Sequence, residues 1–281
     1  MYQSAIDKKL RSNYFESIDE IKDEYILFLP TGCPSGMIWE EWKDKKHVVY
    51  PALASAKLDG SKMYSTWREE RVFLNTRSAK EHKNFRHIEE ALADFYKDHP
   101  NIVLDGEAYS HEYRDRFEEL QSIFRKENPT KEQRQLSKEV VRFYIYDAID
   151  LNKPNQTARE RQSLLSWVNN QIHSDYIIAW FSKDVHSEEE YDLYHEECMD
   201  DGFEGSVLKI SDAPYVQRKN KNVMKRKPKF DCEFMIVDVI EGEGTHSGIA
   251  GKVIIDLSTS AGMNVNHRSL LNIEVEQDAG M

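Results

Sequence analysis

Four segments follow one another along the chain: Lys57-Leu58-Asp59-Gly60, Leu104-Asp105-Gly106-Glu107, Glu204-Gly205-Ser206-Val207-Leu208-Lys209 and Lys225-Arg226-Lys227. A lysine, a set of carboxylates and then further lysines are what a protein needs to attack a nucleoside triphosphate and hold the charge that develops. Lys57 is the candidate nucleophile. An amine attacks phosphorus only when unprotonated, so a lysine in that role needs burial or cationic neighbours. Lys225 and Lys227 are placed to be such neighbours. The competing reading of Lys57, an edge-strand lysine with its head in water, loses weight beside the other three segments. Lys225 and Lys227 alternate, so on a strand they share one face with Arg226 on the other. Two ammonium groups side by side call for an anion between them, and a triphosphate is one. Glu107 and Glu204 stand beside glycines at what read as the ends of short strands, where backbone can approach a ligand closely. Triphosphate chemistry also calls for a divalent ion held by carboxylates. Asp59 and Asp105 orient neighbours or are simply members of Asp-Gly turns.

These residues need elements to hold them. Residues 1–45 read as a helical and loop lead-in. Val48 to Ala56 reads as a strand delivering Lys57, and Tyr64–Trp67 and Val72–Asn75 as strands paired around the polar turn Arg68-Glu69-Glu70-Arg71. From Ala79 to Tyr96, Phe85, Ile88, Leu92 and Phe95 fall on one helical face, and Asp98-His99-Pro100 stops that helix. Ile102-Val103-Leu104 is a short strand carrying Asp105 and Glu107, and Val140 to Asp147 is strand-like throughout. Residues 158–172 read as a helix, and Ser187 with Glu190 as a capping box opening another. Ser206 to Ile210 is again strand. After Pro228 the texture changes to two strands, Glu233–Ile240 and Lys252–Leu257, around a glycine-rich stretch.

The chain has 281 residues, 40% hydrophobic and 11% aromatic, enough for a large domain and a small one with real cores. No run reaches the length of a membrane span, and the first residues lack the pattern of a secretion signal. Cys33, Cys198 and Cys232 have no metal-ligand spacing and fit a reducing compartment, so the expected location is cytoplasmic. The net charge of −12 argues against a polyanionic partner, but Ala213 to Phe230 carries Arg218, Lys219, Lys221, Lys225, Arg226, Lys227 and Lys229 with no acid. A basic groove with an acidic back can steer a polyanion despite the total. The alternative is a solvated lysine-rich loop.

In this order the four segments resemble the nucleotidyltransferase motifs of ATP-dependent DNA ligases and their relatives, the RNA ligases and mRNA-capping guanylyltransferases. The likeness covers roughly Tyr50 to Lys229 and is to the small viral and phage DNA ligases. It implies an α+β, ATP-grasp-like nucleotidyltransferase domain with antiparallel sheets and flanking helices over 46–229. A short OB-fold-like barrel over 230–281 would follow. It further implies ATP as cosubstrate with AMP carried on Lys57, and Mg2+, with Mn2+ as a substitute, held by Glu107 and Glu204. Glu107 would also contact the ribose. Lys225 and Lys227 would hold the α-phosphate, Arg77 a phosphate, and Tyr146 would stack on the purine, unless it is one more core aromatic. Arg218 would meet the 5′-phosphate of a nick, and Asp59 and Asp105 the nucleic acid. Arg159 and Arg161 are expected in structural ion pairs. The pattern departs from the family in three ways. Lys62 stands where Lys-x-Asp-Gly-x-Arg has arginine, so it would bind the nucleotide with a charge but without a bidentate phosphate fork; the C-terminal part is short, and an Arg-x-Asp-Lys element is absent. The expected partner is nicked duplex DNA, bound by a monomer with no membrane or obligate protein partner. The alternatives are an RNA ligase or RNA-end repair enzyme and a nucleic-acid-binding relic.

Overall fold

The computed structural model describes residues 35–42, 47–114, 116–124, 126, 128–217, 219–228, 235–242 and 250–256. Most of the expected lead-in over 1–45 lies outside the described residues. The chain divides into two compact units, Met1–Lys227 and Pro228–Met281. The first contains β1 (Ser35–Ile38), the single turn α1 (Trp39–Trp42), β2 (Ala52–Lys57), β3 (Ser61–Arg68), β4 (Arg71–Asn75), α2 (Arg86–Asp98), β5 (Ile102–Tyr109) and α3 (Phe117–Phe124). It continues with α4 (Lys131–Val140), β6 (Arg142–Asp150), α5 (Ala158–Asn169), β7 (Ile177–Ala179), β8 (Lys183–Val185), α6 (Glu188–Asp200), β9 (Gly205–Ile210) and β10 (Lys219–Arg226).

The strands form two five-stranded sheets, ordered β1-β10-β9-β2-β8 and β4-β3-β5-β6-β7. The expectation of antiparallel sheets is corrected: both are mixed, with the edge pairs β1–β10 and β6–β7 parallel. The cause is visible for β6–β7, because parallel neighbours need a long crossover and α5 provides it. β3 and β4 form the expected hairpin, turning through Glu69 and Glu70 at positive φ (49° and 56°). Helix α2 starts later than its apolar pattern suggests. The residues before it are taken up by a turn at Arg77-Ser78, with Ala79 at φ 57°, and by the bridge of Glu81 to Asn75.

Capping is partly as expected. The Ser187 hydroxyl accepts the Glu190 N–H at 3.2 Å, but the Glu190 carboxylate takes the His186 N–H, so the box is half formed. Complete boxes instead open α4 at Thr130 and α5 at Thr157. The β4-β3-β5-β6-β7 sheet packs one face on α2, α3 and α5 through Phe85, Ile88, Leu92, Leu104, Phe143, Leu165 and Val168. A second core, with Trp39, Ala52, Ala54, Tyr191, Leu208 and Met224, closes the outer face of the other sheet against α6. Strand alternation then turns the opposite side chains toward a cavity.

In the second unit β11 (Met235–Glu241) pairs antiparallel with β12 (Ala250–Asp256). Among the described residues these two strands form no closed barrel. Their apolar side chains at Ile236, Val237, Val239 and Ile240 are exposed.

Candidate active site

Lys57 is the last residue of β2, and its partner in β9 is Gly205. That register sets Glu204 beside it: the Glu204 N–H donates to the Lys57 carbonyl at 3.2 Å. Gly205 is required here. Its φ is +148°, and a Cβ would lie 2.0 Å from the Arg226 carbonyl oxygen. The side chains then meet. The Lys57 ammonium donates to one oxygen of Glu204 and the Lys227 ammonium to the other. One carboxylate thus joins the first and the last of the four sequence segments. Burial pushes the Glu204 carboxyl up, but Lys57 and Lys227 outweigh it and hold the group below its ordinary range. Arg226 points the other way, to Asp192 of α6, as strand alternation expects.

Lys225 lines the cavity and has no ion pair among the described residues. Burial, then the charges of Lys57, Arg77 and Lys227, lower its pKa from the usual lysine value. The cavity encloses about 930 Å³ of empty space, part of it open to solvent. Lys57, Lys62, Arg77, Arg161, Lys209 and Lys225 line it against Asp105, Glu107 and Asp147. With six cations to three acids, its own charges do not cancel, so an anion is the fitting occupant.

The opposite wall comes from β3, β5 and β6. Glu107 lies inside β5, not at a strand end as expected, with Lys62 as its cross-strand partner. Burial pushes its carboxyl up to about 7, although Lys62, Lys57 and Arg77 pull it down. Asp105 is 1% exposed and inside the same strand, which excludes the turn reading of Asp105-Gly106. Its carboxylate accepts the Lys62 ammonium on one oxygen and the Tyr215 hydroxyl, at 2.7 Å, on the other. Both oxygens are engaged inside the protein, and Asp105 serves as an internal counter-ion for Lys62. The Lys62 ammonium also donates to the Tyr146 hydroxyl at 2.6 Å. Asp59 does lie in a connection, between β2 and β3, and is not among the cavity-lining residues. Arg77 is exposed at the cavity rim after β4. Arg218 lies outside the described residues.

Sequence reasoning missed the cavity floor. Lys209, quoted above only as the end of a motif, donates to the Tyr146 carbonyl at 2.9 Å and to Asp147 at 3.3 Å. Arg161, expected in a structural ion pair, makes one with Asp147 at 2.7 Å, and Arg159 pairs with Asp184. Burial raises the Asp147 carboxyl, but Lys209 and Arg161 prevail and keep it below its ordinary range. The one available signal was Lys209 itself, which shares a strand face with Val207.

No group of three or more His, Cys, Asp or Glu side chains among the described residues is arranged to hold a metal ion. Magnesium is commonly held by one or two carboxylates together with substrate phosphates. Of the two carboxylates expected to hold it, Glu107 lines the cavity, while both oxygens of Glu204 are engaged by Lys57 and Lys227.

Fold and site together define a nucleotidyltransferase architecture: two mixed sheets enclosing a cationic cavity with one lysine at the end of a strand. A family profile described as ATP dependent DNA ligase domain matches residues 44–227, and the chain belongs to that family. The DNA ligase of African swine fever virus is 25% identical over 178 residues, which cover 61% of this chain and 40% of the viral protein. The chain therefore spans about two fifths of the length of the curated relatives it matches. Among solved structures, Pmar-Lig_PreS3 superposes with a TM-score of 0.67 at 22% identity, over 80% of this chain and 52% of that one. The ATP-dependent DNA ligase of bacteriophage T7, in complex with ATP, superposes at 0.55 and 15% identity, over 80% of each chain. At these identities the likeness is one of fold.

Proposed function

We propose that the protein is an ATP-dependent DNA ligase that seals nicks between a 5′-phosphate and a 3′-hydroxyl in duplex DNA. The observation that carries this reading is Lys57 at the lining of a cavity whose cations outnumber its acids, with Glu204 held between the ammonium groups of Lys57 and Lys227. Membership of the ligase family, and a fold neighbour solved with ATP, support ATP as the cosubstrate.

In the first step Lys57, which lies against Glu204, reacts as the free amine after losing its proton to solvent. Its amine then attacks the α-phosphorus of ATP, forming an N–P bond while the bond to pyrophosphate breaks. Lys225 and Lys227 offset the charge that develops on the α-phosphate and the leaving group. AMP then passes from Lys57 to the 5′-phosphate of the nick, and attack by the 3′-hydroxyl joins the strands and releases AMP. Mg2+, held by Glu107 and Glu204 with the phosphates, would supply further charge neutralisation. Tyr146 stacks on the purine, Glu107 meets the ribose, and Arg77 contacts phosphate. Arg218 takes the 5′-phosphate and Asp59 the nucleic acid. Residues 46–229 act as the adenylation domain and 230–281 as an OB-fold-like domain, working as a monomer in the cytoplasm.

The test is a nicked DNA duplex and a nicked RNA-containing duplex, each incubated with protein, ATP and magnesium. Sealing of the DNA nick is expected. Sealing of the RNA duplex alone would overturn the choice of polymer, and sealing of neither would overturn the activity.

A further inference from the structure

Tyr146 does not sit in an ordinary stretch of strand. Along the β5–β6 ladder Asp105 faces Asp147, whereas the next residue, Gly106, faces Ile145. Tyr146 is thus the extra residue of a bulge, without a cross-strand partner in β5. Bulges re-aim a side chain, and they leave the extra residue outside the regular ladder that fixes its neighbours. Something else must hold it.

Two lysines do. The Lys62 ammonium donates to the Tyr146 hydroxyl at 2.6 Å and stands 4.7 Å from the ring centroid, so it approaches the hydroxyl end of the ring. The Lys209 ammonium donates to the Tyr146 carbonyl at 2.9 Å and lies 5.2 Å from the same centroid. Both anchors are themselves anchored. Asp105 holds Lys62 and is held by the Tyr215 hydroxyl, while Asp147 holds Lys209 and is held by Arg161. A lysine suits the first position because three donors on one nitrogen can serve a carboxylate and a phenol at once. A planar guanidinium would have to fork between them in the same buried space.

We propose that Lys62 is a positioning residue, which together with Lys209 clamps Tyr146 at both ends and presents its ring as a preset stacking wall for a purine base. On this account Lys62 does not contact phosphate, and its place in the pattern where an arginine is usual reflects a different task. The inference rests on the nucleotide-binding reading above. Presetting the ring lowers the ordering cost of binding, so its loss appears in nucleotide affinity before it appears in chemistry.

The test compares the full chain with Tyr146→Phe, Lys62→Met and the double variant. The readouts are KM and kcat for self-adenylation, and quenching of 2-aminopurine riboside triphosphate, whose fluorescence falls when its base stacks. Tyr146→Phe keeps the ring and its volume and removes only the tether, so it carries the test even if Lys62→Met, which strips Asp105 of its counter-ion, fails to fold. The expected result is a KM for ATP raised about tenfold with kcat nearly unchanged, the worth of one charge-assisted hydrogen bond, together with weaker quenching. The double variant should be no worse than Lys62→Met alone. Wild-type KM and quenching in Tyr146→Phe would overturn the clamp. Absence of both adenylation and quenching in the wild-type protein would overturn the nucleotide reading beneath it.

Discussion

The two walls of the cavity use charge in opposite ways. On the β3-β5-β6 side and the floor, charged groups are matched within the protein: Lys62 with Asp105, and Arg161 and Lys209 with Asp147. Breaking one partner of a buried pair costs much more than making the pair gains, so these residues hold the structure in one arrangement. On the β2-β9-β10 side three lysines share a single carboxylate, Glu204, and Lys225 has no ion pair among the described residues. Under the proposed function, the contrast separates residues that shape the cavity from those that act on what enters it, although the two groups are alike in the sequence.

Substitutions should divide along that line. Lys57→Ala should have the largest effect, lowering nick sealing by about four orders of magnitude or more, the scale of losing a covalent nucleophile, while the melting temperature hardly moves. Glu204→Gln should follow, slowing adenylation about a hundredfold or more, measured by label incorporation in single-turnover conditions. Arg161→Met should instead act on stability. Leaving Asp147 with Lys209 alone should cost about 3 kcal/mol, or roughly 6–12 °C in melting temperature, read by thermal denaturation. A rate loss in Arg161→Met without a stability loss would erase the distinction between the walls.

The smallest effect is a pair of opposite pH slopes. Glu107 has a folded-state pKa of about 7, above its ordinary value of 4.5. The native state therefore binds the extra proton between those values, and the contribution of Glu107 to stability, full below 4.5, is lost as pH rises through about 7. Glu204 is shifted the other way. Its contribution is present above 4.5 and is lost as pH falls through the lowered folded value. Denaturant unfolding across pH should show Glu107→Gln flattening the neutral side of the profile and Glu204→Gln the acid side. The same change on both sides would contradict the assignment of the two environments.

What acts on the ligand was more legible in the sequence than what shapes the cavity. The strand ending at Lys57, the hairpin from Tyr64 to Asn75 and the alternation of Lys225 and Arg226 are local patterns, and each forms as its residues suggest. The floor depends on contacts between distant residues: Lys209 reaches Asp147 across 62 positions and Tyr215 reaches Asp105 across 110. No local period encodes such pairs. Asp105-Gly106 misled because an Asp-Gly pair has the same composition in a turn and in a bulged strand. Only the ladder with Ile145 and Asp147 distinguishes them. The mixed character of the sheets was hidden for a similar reason, since the parallel pairing of β6 with β7 depends on where α5 returns the chain.

The central claim is that Lys57 is the residue that takes AMP. The most direct measurement is to incubate the wild-type protein with α-labelled ATP and magnesium, denature it, digest it and locate the label by mass spectrometry. The account predicts one AMP per chain, on the peptide containing Lys57 and on that side chain, released when nicked DNA is added before denaturation. Label on Lys62, Lys225 or Lys227 in place of Lys57, or label that nicked DNA cannot remove, would contradict it.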